Sequence, residues 1–269
     1  MEYVMTLIAD KLTLAYQGNI IIESTSLTIQ KGKITCLIGP NGCGKSTLLR
    51  ALSGIHKPIK GQVSLDSQNL IQWPAKKLAQ RLALLPQHPV SPESISVQQL
   101  VSHGRYPHQG LFCYNSQQDL EAVEWALEMT QMTTLRNRQF NTLSGGERQR
   151  GWIALALVQQ SDILLLDEPT TYLDIGHQME VLDLLANLNQ QHQLTLVMVL
   201  HDVNQASQYA HRLLAMKQGK LIADGTPRDV ISASLLHQLF DIDTEVIYRQ
   251  DNDRTYPFSI PIRTRNKYV

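Results

Sequence analysis

"GPNGCGKST", Gly39 to Thr47, follows the apolar run "ITCLI", Ile34 to Ile38, and puts three glycines and a lysine into nine residues. Glycines there let the backbone take positive φ and bring its N–H groups closer to a bound group than any Cβ would allow. A curled run of such amides is an anion nest. Gly39, four further residues, then Gly44-Lys45-Ser46 is the spacing of a phosphate-binding loop, in which amides cradle phosphates, lysine reaches the outer ones and the serine hydroxyl meets Mg²⁺. Pro40, Asn41, Gly42, Cys43 and Thr47 complete that loop. The following "STLLRALSG" has helical spacing, so the loop opens onto a helix N-terminus with its partial positive charge. The expected fold is therefore α/β, a P-loop NTPase with a RecA-like parallel-sheet core.

Working outward, "LIADKLTLAY" and "IIIESTSLTI" alternate apolar and polar residues, predicting two strands of an antiparallel edge sheet joined near Gln17-Gly18-Asn19. "KITCLIG", "RLALLP", "DILLLDEP" and "LTLVMVLHD" are near-continuous apolar runs, as in parallel strands buried on both faces. "KSTLLRALSGI", "GHQMEVLDLLANLNQQ" and "NQASQYAHRLLAM" read as helices. Between residues 90 and 160 three helical stretches follow one another with no strand, which predicts a helical subdomain inserted in a core of residues 1–89 and 161–240. Residues 241–269 read as a C-terminal extension holding a small strand pair.

The chain has 269 residues, 43% hydrophobic, with 24 Lys plus Arg against 24 Asp plus Glu. That balance supplies no field for collecting nucleic acid, and no nucleic-acid partner is expected. The start "MEYVMTLIADKLTL" lacks a basic n-region and a cleavage site, so it predicts no signal peptide. Runs such as "LTLVMVL", Leu194 to Leu200, fall far short of the ~20 residues a membrane span needs. A cytoplasmic protein reaching any membrane through another chain is the expectation. Cys36, Cys43 and Cys113 fit neither a disulfide framework nor a zinc site. Cys43, inside the loop, is a candidate for alkylation that bound nucleotide would block.

Ligands of open α/β sheets bind at the carboxyl ends of the strands. Four polar groups fall at such ends: the phosphate loop, Gln87 after "LALLP", Asp167 and Glu168 after "ILLL", and His201 after "TLVMVL". Asp167 is placed to help hold Mg²⁺. Glu168 is the better candidate for taking or orienting a proton of the attacking water. Gln87 could touch both metal shell and water, and His201 could bond the outer phosphate. In "LSGGERQR", Leu143 to Arg150, Ser144 and Glu147 fit a capping box ahead of a helix. Gly145 and Gly146 also bare that helix start as a second amide-rich anion site. One nucleotide loop and two anion sites in a chain without repeats suggest that Ser144-Gly145-Gly146 serves a nucleotide held by another copy, in a two-fold head-to-tail dimer.

Together these residues resemble the nucleotide-binding subunit of ATP-binding cassette transporters, over about Leu7 to Arg228. "LSGGE" between a phosphate loop and "ILLLDEP" is the specific mark. The resemblance implies that Tyr16 stacks on adenine, Gln87 is the Q-loop glutamine, Asp167 the Walker B aspartate, Glu168 the catalytic glutamate, Leu173-Asp174 the D-loop and His201 the switch histidine, with Lys45 completing the catalytic set. Two copies would bind ATP and Mg²⁺ beneath integral membrane permease subunits, peripheral to the cytoplasmic face of the inner membrane. "GRYPH", Gly104 to His108, and "EPTTYLDIGHQMEVLDLL", Glu168 to Leu185, resemble the ATPases of importers for iron–siderophore complexes, haem or vitamin B12. A ferric siderophore delivered by a substrate-binding protein is the favoured cargo, with haem, vitamin B12, another cargo, or a soluble non-transport cassette as alternatives. A metabolite kinase on the same loop would lack "LSGGE".

Overall fold

The structure is a computed structural model and describes residues 6–90, 92–110, 116–251 and 254–264. Cys113 lies outside those residues. In chain order the elements are β1 (Thr6–Tyr16), β2 (Asn19–Gln30), β3 (Ile34–Ile38), α1 (Lys45–Leu52), β4 (Lys60–Leu65), β5 (Gln68–Asn69), α2 (Ala75–Ala79), β6 (Leu82–Leu85), α3 (Val97–His103), α4 (Gln117–Met129), α5 (Gly145–Leu157), β7 (Ile163–Asp167), α6 (Ile175–His192), β8 (Thr195–Val199), α7 (Val203–Tyr209), β9 (Arg212–Lys217), β10 (Lys220–Gly225), α8 (Pro227–Val230), α9 (Ala233–Phe240), β11 (Ile242–Asp251) and β12 (Arg254–Thr264). They form two compact units, Met1–Asn69 with Val197–Val269, and Leu70–Leu196.

The first unit holds an antiparallel sheet of order β2-β1-β4-β5 and a second sheet run of order β10-β9-β3-β8. β1 and β2 alternate because one face is buried: Leu7, Ala9, Leu12 and Leu14 are each at most 1% exposed, between exposed polar neighbours such as Asp10 and Lys11. β3 is buried along its whole length and pairs in parallel with β9, Ile38 opposite Ala215. That double burial is why "ITCLI" carries no alternation.

In the second unit β6 and β7 pair in parallel, Leu85 opposite Leu166, in a run of order β8-β7-β6. α3, α4 and α5 pack on one another. Each starts at a serine that forms a capping box, Ser96 with Gln99, Ser116 with Asp119 and Ser144 with Glu147. Arg105, 4% exposed, ties the "GRYPH" segment into this group. Its guanidinium donates to Asp119 at 2.8 Å and to the Val158 carbonyl at 2.9 Å.

The reading of "NQASQYAHRLLAM" as one helix is corrected. α7 ends at Tyr209, and Arg212–Lys217 is strand β9 with Leu213 to Met216 fully buried. "LLAM" is apolar on both faces, and so short an apolar run fits a buried strand as well as a helix. β9 also pairs antiparallel with β10, so the sheet is mixed at that edge.

His211 sits where α7 gives way to β9, and its Nδ1 accepts the Ile34 N–H at 3.0 Å. Burial, with Arg254 and Lys33 adding to it, pushes its pKa from 6.5 down to about 4. A depressed folded pKa means that the unfolded chain takes the proton first, so this stability is full above the ordinary value and lost as pH falls from 6.5 towards 4. The thermal midpoint is expected to fall through that window. His211→Asn, which keeps an acceptor for Ile34, should remove part of the fall; identical pH profiles for both chains would refute the assignment.

Candidate functional site

Each unit carries candidate functional residues of its own. In the first, the β3/β9 register runs Ile38 opposite Ala215, so Gly39 arrives beside Met216. A Cβ at Gly39, whose φ is +146°, would lie 2.1 Å from the Met216 carbonyl oxygen, which only glycine tolerates. Gly44, at φ 104°, caps α1, and Leu48 N–H donates to its carbonyl at 2.9 Å. Lys45 is 5% exposed and donates from Nζ to the carbonyls of Gly39 at 2.8 Å and Pro40 at 3.0 Å. The lysine thus ties the end of the loop back to its start. Asn41 and Gly42 are exposed at the loop tip, and Ser46 and Thr47 are half-buried on the first turn of α1.

Cys43 corrects one expectation. It is 3% exposed, and burial pushes its thiol up against the opposing pull of Lys45 and backbone hydrogen bonds. The alkylation expected there therefore lacks an accessible thiolate.

Tyr16, the last residue of β1, is 41% exposed, with its ring centroid 4.5 Å from that of His56. That ring is open to a stacking partner. His201 is exposed two residues beyond β8, directly before Asp202, which caps α7 by accepting from the amides of Asn204 at 2.7 Å and Gln205 at 3.0 Å.

In the second unit the β6/β7 register sets the geometry. Leu85 stands opposite Leu166, so two residues further along Gln87 comes level with Glu168. The Gln87 amide donates to Glu168 Oε2, and Thr171 Oγ1 donates to the same oxygen at 3.0 Å. Glu168 itself has φ 55°, a left-handed conformation that costs about 1–3 kcal/mol for a non-glycine residue and gathers at functional sites. Asp167, the last residue of β7, is 3% exposed. Adjacent carboxylates are thus separated, one buried in the strand and one half-buried and aimed by two donors.

Ser144 caps α5: its amide is bonded by Glu147 Oε2 at 2.8 Å and its hydroxyl accepts from the Glu147 amide at 3.3 Å. The backbone and side-chain hydrogen bonds to Ser144 hold the Glu147 carboxyl below its ordinary range. Ser144 and Gly145 are exposed, while Gly146 is buried and a Cβ there would come 2.4 Å from the His177 ring. That ring is fixed by Asp174, whose Oδ2 meets Nδ1 at 2.8 Å. The sequence offers little to single out Thr171 or His177; the only signal is Thr171's place three residues after Glu168.

The first unit thus carries a glycine-rich loop with a buried lysine, and the second a strand-end glutamate aimed by two donors and an exposed glycine-rich helix start. Residues 22–171 match the ABC transporter family. The chain belongs to that family. The ABC cassette is 45% identical to the ferric enterobactin transport ATP-binding protein FepC of Escherichia coli, over 91% of each chain. It is 48% identical to the petrobactin import ATP-binding protein FpuD of Bacillus anthracis, over 88% of this chain and 86% of that one. Among solved structures, a metal-chelate type ABC transporter in an inward-facing conformation matches with TM-score 0.83 and 31% identity, covering 96% of this cassette and 98% of that chain. A dimeric bacterial ABC transporter cassette matches with TM-score 0.72 and 25% identity, over 82% and 98%. The cassette is accordingly an ABC ATPase that binds ATP. Among the described residues no helix is long and apolar enough to cross a membrane.

Proposed function

We propose that this cassette is the ATP-hydrolysing subunit of an importer for a metal chelate, a ferric siderophore, working beneath a separate membrane permease. The observation that carries the reading is 45% and 48% identity, over 91% and 88% of this chain, to ATP-binding proteins named for ferric enterobactin transport and petrobactin import. Two copies would face each other head to tail on the cytoplasmic side of the membrane. Ser144, Gly145 and Gly146 of one copy would close on the nucleotide held by the phosphate loop of the other, with Tyr16 stacking on the base. A solved relative that is a dimeric cassette supports the two-copy assembly. A binding protein outside the membrane would deliver the chelate to the permease.

Within each copy Lys45 meets the outer phosphates, Glu168 orients the attacking water and His201 contacts the transferred group. Ser46, Asp167 and Gln87 offer the hard oxygen donors that Mg²⁺ takes. Bound there, the cation would supply charge neutralisation on the phosphates, the main demand of phosphoryl transfer.

The test is uptake of radio-iron-labelled ferric siderophore by a strain lacking this gene. Wild-type chain should restore uptake and a Glu168→Gln chain should not. Uptake undiminished in the deletion strain, or restored equally by both chains, would refute the reading.

A further inference from the structure

β12 runs along α7 and is bonded to it at three levels. At the start of α7, Asn204 Nδ2 donates to the Ser259 carbonyl at 3.0 Å, while its Oδ1 accepts the Ser259 amide at 2.7 Å and hydroxyl at 2.9 Å. In the middle, Ser207, which is 0% exposed, donates to the Pro257 carbonyl at 2.6 Å. At the end, Arg254 donates to the carbonyls of Tyr209 and Ala210. β12 is in turn paired with β11 from Ile242 opposite Thr264 to Asp251 opposite Arg254, and Arg228 of α8 donates to Thr255.

A seven-residue helix has little stability of its own. Its tertiary contacts fix where it lies, and α7 begins one residue after Asp202, which is bonded to His201 by the chain and to the Asn204 amide by its carboxylate. A direct line therefore runs from Ser259 through Asn204 and Asp202 to His201.

We propose that the C-terminal strand pair β11–β12 is a strap that sets the position of His201 for ATP hydrolysis, with Asn204 and Ser259 as its positioning residues. The inference rests on the role given above to His201. Misplacing a group by about 1 Å from a site outside the chemistry can cost up to ~10²-fold in rate. The strap need not touch nucleotide to matter.

The test is a kinetic cycle on the purified full-length chain with ATP and Mg²⁺. Asn204→Ala should lower kcat about tenfold, within that range, with KM for ATP unchanged. In a His201→Ala background the same change should do nothing further, because residues acting as one unit are not additive. A purely structural role would lower kcat in both backgrounds, or KM and thermal midpoint together, and would overturn the strap. Ser259→Ala deletes one hydroxyl contact and keeps the backbone pair, so it carries the test if Asn204→Ala does not fold: kcat should fall in the wild-type background alone, and an unchanged kcat would overturn the proposal. If His201→Ala itself hydrolyses ATP at the wild-type rate, the role of His201 fails and the strap with it. A slow His201→Ala chain with additive Asn204→Ala rejects the strap only.

Discussion

The Glu168→Gln chain is expected to bind ATP as the wild type does and to hydrolyse it at least ~10²-fold more slowly, the lower end for losing a positioned proton acceptor. The substitution is nearly isosteric, and Gln87 and Thr171 can still meet the remaining carbonyl oxygen, so the local geometry should persist. What is lost is the charge and basicity of an oxygen that two donors aim. Phosphate release in single-turnover and steady-state assays reads the effect, and nucleotide titration supplies the control. Turnover near the wild-type rate would remove Glu168 from the catalytic role.

Lys45→Met should act on binding as well as rate. A hydrogen bond to a charged group contributes about 1.5–3 kcal/mol, so ATP affinity should weaken by roughly tenfold or more. Loss of one preorganised cation from phosphoryl transfer should take about another 10²-fold or more from kcat. The lysine also holds the carbonyls of Gly39 and Pro40, so the empty loop should lose order even without nucleotide. Fluorescent-nucleotide titration and hydrogen exchange over residues 39–47 measure the two consequences. An unchanged affinity would show that the amide nest binds phosphate without the lysine.

Much of this was legible because it is local. Gly39, Gly42 and Gly44 take the positive φ that the loop spacing predicts, and the capping box at Ser144 and Glu147 lies within four residues. Uniformly apolar strands such as β3, β7 and β8 announce their double burial. β4 and β5 left no such trace, since Val63 and Leu65 are the only buried residues among largely exposed neighbours. β9 is hidden because its apolar run is too short to show a period. Contacts between distant residues were out of reach altogether. Gln87 and Glu168 are 81 residues apart, and only the β6/β7 register brings them level. Asn204 and Ser259 are 55 apart, and neither residue type advertises the pairing.

Two copies of this cassette are expected to close on ATP. That closure is tested most directly by the mass of the Glu168→Gln chain in solution, measured by light scattering with ATP or ADP present. A two-copy mass with ATP and a one-copy mass with ADP is the predicted result. A one-copy mass at saturating ATP, across the concentrations at which nucleotide binds, would contradict it.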